Sequence, residues 1–378
     1  MSMRPLEGII VVAVEQAVAA PFCTARLADA GATVIKIERP EGDFARGYDD
    51  AAKGQSSYFV WLNRGKQSVL LDLSQDHDRA ELARLIAGAD VLVQNLRRGA
   101  LGRMGLDPKD LVNRHPGLII CSITGFSEAG PYADRKAYDL LIQAEAGLCS
   151  LTGGPDEPAR VGISVVDIAT GATAYSAVLE ALIGRGRTGR GTTIDISMFD
   201  VTADWLTVPL MNAEAGKAPK RIGLRHPSIA PYGVFTARDG AQVLIAIQSE
   251  PEWAKLSRHL LGDANLPKDP RFATNVLRVN NRAETDQVVA EAFARYDRVD
   301  LIRALTEADI AFAEVNDMAA LSVHPHLRRA TVETEAGPVS YPAPAPVFDG
   351  NPRTYGPVPS PGEHTERYRQ AGAAEQTP

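Results

Sequence analysis

Six short apolar runs, spaced by helical or turn-rich stretches, limit what the first half of this chain can become. They are residues 8–14 (GIIVVAV), 33–38 (TVIKIE), 68–73 (SVLLDL), 91–93 (VLV), 118–123 (LIICSI) and 192–197 (TTIDIS). Several are apolar at consecutive positions, the pattern of strands covered on both faces. Residues 21–30 and 78–87 read as helices between them. Gly31 ends the first, and Leu82, Leu85 and Ile86 fall on one face of the second. Strand alternating with helix predicts a mostly parallel sheet between helical layers, an α/β fold. No GxxxxGK[ST] or GxGxxG stands at a strand-to-helix turn. The Gly/Arg-rich run 184–191 (GRGRTGRG) follows a helix and precedes a strand, so it reads as a basic turn.

The character changes near Asn212. Residues 213–233 are rich in Gly, Pro and basic side chains and read as a linker or irregular crossing segment. A hairpin signal follows, 233–238 and 242–248 about the turn Asp239-Gly240. Helices are expected at 251–261, 284–295 and 300–307, which together make a smaller α/β domain. From Thr331 the chain turns Pro-rich, with eight prolines between Gly337 and Pro361, as in an extended tail that runs over another part of the molecule. The expected division is a large domain at 1–212, a linker at 213–232, a small α/β domain at 233–325 and a Pro-rich segment at 326–378 that returns to the large domain. Only the last ten residues or so read as disordered. A length of 378 residues accommodates two or three such units.

A net charge of -7 gives no support to a nucleic-acid partner, although a local basic pocket still suits an anionic ligand. Cys23, Cys121 and Cys149 are odd in number and far apart, with no CxxC, so neither a disulfide framework nor a metal site is expected. Reduced thiols fit a cytoplasmic protein. The N-terminal apolar run is interrupted by Glu7 and Glu15 and reads as strand and helix rather than as a leader. No uninterrupted apolar stretch reaches the roughly 18–20 residues of a membrane span.

Asp167 stands out. It ends the apolar run 161–166 and is followed by Thr170-Gly171 and a helical stretch at 172–183. A carboxylate in that position either N-caps the helix, for which Asp is favoured, or meets a ligand.

Nine segments recur together in an order that resembles the class III CoA-transferases, the formyl-CoA transferase and carnitine CoA-transferase family. They are LEGIIVV at Leu6, APFCTARLADAGATVIKIERPEGD from Ala20, YFVWLNRGKQSVLLDL from Tyr58, DVLVQNLRRGALGRMGL from Asp90, ITGFSEAGPY from Ile123, AYD at Ala137, the D-x-x-TG beginning at Asp167, TGRGTTIDISMFD from Thr188 and PGEHT from Pro361. The resemblance covers nearly the whole chain. It implies a Rossmann-like large domain, a smaller α/β domain and a homodimer of interlocked chains, which the long linkers permit. It also implies that Asp167 is a nucleophile that forms a mixed anhydride and then an aspartyl-CoA thioester, since a carboxylate can act as a covalent catalyst. CoA esters are then substrates, with no permanently bound cofactor.

The matching positions place Arg39, Asn95, Arg103 and Lys136 as polar CoA contacts, Leu71 and Met198 as apolar ones, and Ala17-Val18-Ala19 along the pantetheine arm, with Tyr138 beside them. Arg225 and His226 are candidate acceptor-binding residues; an ordinary linker turn is the alternative. The chain lacks the glutamine common near Val18 in formyl-CoA transferases, has Ser74 in place of a lysine, and lacks the glycine-rich loop around Gln248-Ser249. These departures point away from formate and oxalate. The AVAAPFC and GLRHPSIAPYG segments resemble transferases acting between succinyl-CoA and small dicarboxylic acids such as itaconate, mesaconate or citramalate. Two alternatives stand beside this. The same fold serves 2-methylacyl-CoA racemases, which have a His where this chain has Tyr138, and a non-catalytic CoA-binding protein would share the same anchors.

Overall fold

The structure, a computed structural model, describes residues 4–375. The chain forms two compact units. The first comprises residues up to Leu148, Arg160–Leu210 and those from Arg328 on; the second comprises Cys149–Ala159 and Met211–Leu327.

The first unit is built on a six-stranded sheet of β1 (Ile10–Val14), β2 (Thr33–Glu38), β3 (Lys66–Leu70), β4 (Val91–Gln94), β5 (Ile119–Thr124) and β6 (Thr193–Ser197). Every pairing is parallel, and the order is β3-β2-β1-β4-β5-β6. All six apolar runs therefore became strands, with β3 starting two residues earlier than the apolar content of 68–73 suggests.

The four central strands are buried on both faces. Val11, Ala13, Val91, Val93, Ile119 and Cys121 point to one side, against the helices Ala19–Asp29 and Val165–Thr188. Val12, Val14, Leu92 and Ile120 point to the other, against Leu82, Leu85 and Ile86 of the helix Asp76–Ala87. This period-two division explains the consecutive apolar residues: each neighbour serves a different core.

The strand order reverses between β1 and β4, which leave the sheet toward opposite sides. In open parallel sheets this switch point, at the carboxyl ends of the strands, is where a crevice opens and a ligand binds.

Two local expectations are corrected. The helix expected at 172–183 begins at Val165 and runs to Thr188. Asp167 therefore lies inside the first turn and does not cap it; Ser164 is the flanking residue. Most of the expected basic turn at 184–191 is the last turn of the same helix, and left-handed Gly189 ends it. A helix of this composition also has the length and apolarity of a membrane span, but here it packs on the sheet through Ala169, Ala174 and Val178.

Gly171 is what lets this helix approach its neighbour. A Cβ there would stand 2.4 Å from the Ala19 carbonyl oxygen and 2.8 Å from Phe22 Cβ. The glycine of the D-x-x-TG motif is thus a close-approach site between two helices, and it brings Asp167 beside the β1–helix turn.

The chain from Arg328 adds the antiparallel pair β10 (Arg329–Val332) and β11 (Val339–Pro342) to this unit. It then runs back along β3, where Pro357 O accepts from Gly65 N at 2.7 Å and Thr365 Oγ1 accepts from Leu70 N at 3.0 Å. The helix Thr365–Glu375 occupies most of the stretch expected to be disordered; residues 376–378 of that stretch lie outside the described residues.

The second unit holds the antiparallel sheet β7 (Tyr232–Thr236), β8 (Gln242–Ala246) and β9 (Phe312–Glu314). The hairpin turns at Asp239-Gly240 as its residues predict, with Gly240 at φ +85°. The strand β9 carries no local signal strong enough to be foreseen. Arg278 is buried in this unit's core, donating to Glu250 Oε2 at 2.6 Å and to the Ala230 carbonyl at 2.7 Å.

Candidate functional site

A cleft of about 700 Å³ opens at the β1/β4 switch point, walled by residues 16–19 after β1 and 95–98 after β4. Of the residues singled out from the sequence, Ala17, Val18, Ala19, Asn95, Arg103, Lys136, Tyr138, Asp167 and Met198 all line it. They come from six separated segments, and only the tertiary fold joins them.

The turn after β1 is held in an uncommon conformation. Ala17 has φ +64°, which a residue with a Cβ adopts only when its surroundings enforce it. Two restraints do so. Asn95 Oδ1 accepts from Gln16 N at 3.0 Å while Asn95 Nδ2 donates to Gln16 O at 2.9 Å. Asp43 Oδ1 accepts from Ala17 N at 3.2 Å. Asp43 is itself anchored in a fully buried charge cluster. Lys36 Nζ donates to Asp43 Oδ2 at 2.9 Å, and both Lys36 and Lys66 donate to Glu15 Oε1, at 3.4 Å and 2.6 Å. Asn95 thus meets the cleft with its side-chain amide already engaged by the Gln16 backbone.

Asp167 sits partly buried on the cleft wall. Burial, and then the neighbouring Asp139 charge, push its carboxyl up to about 7. Asp139 belongs to the AYD segment, starts the helix Asp139–Glu145, and accepts at Oδ2 from Val166 N at 2.8 Å and Asp167 N at 3.1 Å. Cations line the same cleft. Arg97, Arg98, Arg135 and Arg160 line the cleft beside the expected Arg103 and Lys136. A protein of net charge -7 therefore holds a locally basic groove, suited to phosphate and carboxylate groups. Aromatic rings complete the wall. Tyr48 packs edge-on to Tyr58 with centroids 5.5 Å apart, and burial raises its hydroxyl to about 12.

Sequence reasoning missed Asp139, Arg97, Arg98 and the Tyr48–Tyr58 pair. The first was quoted only as part of a motif. The arginines were hidden by the common expectation that a surface cation is merely solvated.

Not every expected residue reaches the cleft. Leu71 is 1% exposed and belongs to the core on the far face of the sheet. Arg39 is exposed, with its guanidinium 5.7 Å from the ring of Phe44, which does line the cleft. Arg225 and His226 belong to the second unit. There Arg225 Nε lies 3.4 Å from Asp286 Oδ2, and the His226 ring stacks on Tyr232 with centroids 5.2 Å apart. Among the described residues there is no cluster of His, Cys, Asp or Glu suited to a metal ion.

The sequence profile described as CoA-transferase family III matches residues 6–365. The chain belongs to this family. It is an enzyme of the CoA-transferase class. This family III transferase is 35% identical to the succinate–glutarate CoA-transferase of Agrobacterium fabrum, over 95% of this chain and 94% of that protein. It is 36% identical to the acetyl-CoA:oxalate CoA-transferase of Acetobacter aceti, over 89% of this chain and 87% of that protein. Among solved structures, a CAIB/BAIF family protein from Brucella suis superposes with a TM-score of 0.82 at 37% identity, covering 98% of this chain and all of that one.

Proposed function

We propose that the protein moves CoA from succinyl-CoA to a small dicarboxylic acid, with Asp167 as the nucleophile and the first unit as the CoA-binding domain. The observation that carries this is the placement of one carboxyl, raised to about 7, on the wall of a cleft lined by cations. A carboxylate of that basicity is a better nucleophile than an ordinary aspartate, yet about half of it is ionised at neutral pH.

The chemistry runs in four exchanges. Asp167 attacks the thioester carbonyl, the C–S bond breaks, and CoA leaves as thiolate from a mixed anhydride. The thiolate attacks the Asp167 carbonyl of that anhydride, giving an aspartyl-CoA thioester and releasing succinate. The acceptor carboxylate attacks the aspartyl thioester and expels the thiolate to form a second anhydride. The thiolate then attacks the acceptor's acyl carbon, forming the new CoA ester and returning Asp167 as carboxylate. Each step exchanges one activated acyl group for another, so no single barrier bears the whole transfer. Arg103, Lys136, Arg97 and Arg98 would hold the CoA phosphates, with Arg39 at the outer edge beside Phe44 and Met198 against the apolar arm.

For the acceptor, the similarity to a succinate–glutarate enzyme adds glutarate to mesaconate, citramalate and itaconate. Oxalate is a further candidate acceptor because one relative is named for it, although the changes near Val18 and Gln248-Ser249 argue against it. Arg225 and His226 are the proposed partners of the acceptor's distal carboxylate. A second carboxylate able to reach Arg225, which is half exposed and already faces Asp286, should favour succinate over butyrate in kcat/KM. We place the enzyme in the cytoplasm, in keeping with its three free cysteines, and expect a homodimer. Trp205, Val208 and Leu210 are more than half exposed along successive helices of the first unit, apolar surface that a second copy would cover.

The test is covalent trapping. Succinyl-CoA alone should leave an adduct that hydroxylamine or borohydride captures on the peptide containing Asp167, and Asp167→Ala and Asp167→Asn should abolish both capture and exchange. Solvent deuterium entering the α-position of a 2-methylacyl-CoA, with no trappable adduct, would instead establish the racemase.

A further inference from the structure

The first turn of the helix Val165–Thr188 should present free N–H groups to the cleft, and it does not. Val165 N donates to Ile163 O at 2.8 Å and Ile168 N to Ser164 O at 3.0 Å. Val166 N and Asp167 N both donate to one oxygen of Asp139, 27 and 28 residues upstream. The other oxygen of Asp139 accepts from Gln143 Nε2 at 2.5 Å, and Gln143 Oε1 accepts from Val161 N at 2.9 Å. Gln143 is fully buried, so this chain of bonds is fixed from both ends. The consequence is electrostatic. A carboxylate in the first turn of a long helix is ordinarily stabilised by the helix dipole, which lowers its proton affinity and its nucleophilicity. A second carboxylate placed on the same N–H groups offsets that field.

We propose that Asp139 is a positioning residue for the nucleophile. It fixes the turn that carries Asp167 through two backbone hydrogen bonds, and it faces the Asp167 carboxyl with a negative charge that Gln143 holds in place. This rests on Asp167 being the nucleophile. Its effect is to keep Asp167 basic and oriented without touching the substrate. The raised carboxyl of Asp167, whose causes are burial first and Asp139 second, agrees with it. The other charged or ionisable groups lining the cleft are Tyr48, Tyr58, Tyr138, Asp134, Lys136, Arg97, Arg98, Arg103, Arg135 and Arg160. The cations act in the opposite direction and the Asp134 carboxylate is turned to solvent, so Asp139 is the neighbouring charge that raises Asp167 beyond the effect of burial.

The test separates charge from capping. Asp139→Asn alone sets its new NH2 against either the helix N–H groups or the Gln143 amide. Combined with Gln143→Glu, every bond survives. The new amide oxygen accepts from Val166 and Asp167 N–H, its NH2 donates to the new carboxylate, and that carboxylate still accepts from Val161 N–H. The charge moves one side chain further from Asp167. The readouts are the acid limb of kcat/KM against pH and the titration of the Asp167 carboxyl carbon in protein labelled with 13C at aspartate, assigned with Asp167→Asn. Both should move down by about one pH unit in the double variant. If that variant does not fold, Asp139→Ala should move the titration in the same direction. A folded variant that loses activity with its limb and titration unmoved would overturn the proposal and leave Asp139 a structural cap. The two hypotheses fail separately: trapping at a residue other than Asp167 removes the nucleophile, whereas the carbon titration reports on Asp139 whatever the nucleophile is.

Discussion

Asp167→Asn should make the protein more stable while abolishing its activity, and the gain should depend on pH. In the folded protein the carboxyl is raised from 3.8 to about 7, by burial and then by Asp139. A tenfold change in proton affinity is about 1.4 kcal/mol, so the folded state pays up to about 4 kcal/mol for an ionised Asp167. The cleft is open to solvent, which screens part of this, and about 2–4 kcal/mol is the expected range. The sign follows from linkage. Between about pH 4 and pH 7 the unfolded chain has lost this proton and the folded chain still holds it, so wild-type stability falls as pH rises through that window. The asparagine variant lacks this slope. Its advantage should be near zero at about pH 4, grow through pH 7 and level off above it. Urea unfolding of both proteins across this range, at one fixed protein concentration because assembly shifts apparent stability, measures the difference. A gap that stays constant with pH, or a variant less stable throughout, would refute the argument that Asp167 is held against its charge.

Two further outcomes follow from the geometry. Arg103→Ala should raise KM for CoA esters about tenfold with little change in kcat, because an exposed cation at the nucleotide end contributes equally to ground and transition states; steady-state kinetics would contradict this by showing the loss in kcat, and Arg39→Ala, at Phe44 rather than on the cleft wall, should move KM less. Gly171→Ala forces a methyl to 2.4 Å from the Ala19 carbonyl oxygen, so the two helices must part; a loss of about 1–3 kcal/mol in unfolding free energy and a fall in kcat are expected, and wild-type stability with full activity would show that the helices tolerate the separation.

Much of the first unit was legible in the chain. A strand buried on both faces is apolar at successive positions, which marked β1, β2, β4 and β5, whereas the apolar run 161–166 led into the helix Val165–Thr188 and the edge strand β6 is partly exposed. Asp239-Gly240 likewise marked the β7–β8 hairpin through a backbone conformation that glycine adopts freely. Chemistry-bearing residues with a motif of their own, Asp167 above all, were visible in the same way. The local setting of Asp167 was not. Judged on neighbours alone, its helix should begin after Thr170-Gly171, with a small residue and a glycine breaking the start. In the fold the glycine is the contact surface for the helix Ala19–Asp29, and the start is moved back to Val165 because Asp139 supplies the caps for Val166 and Asp167. Leu71 and Asn95 show the same limit: one faces the core and the other is engaged by Gln16, neither of which a motif position reveals. Local sequence determines a strand because its side-chain pattern answers to the two layers around it. The nucleophile's neighbours are set by bonds between residues far apart in the chain, and those exist only once the sheet has brought β1, β4 and the 139–145 and 165–188 helices to one end.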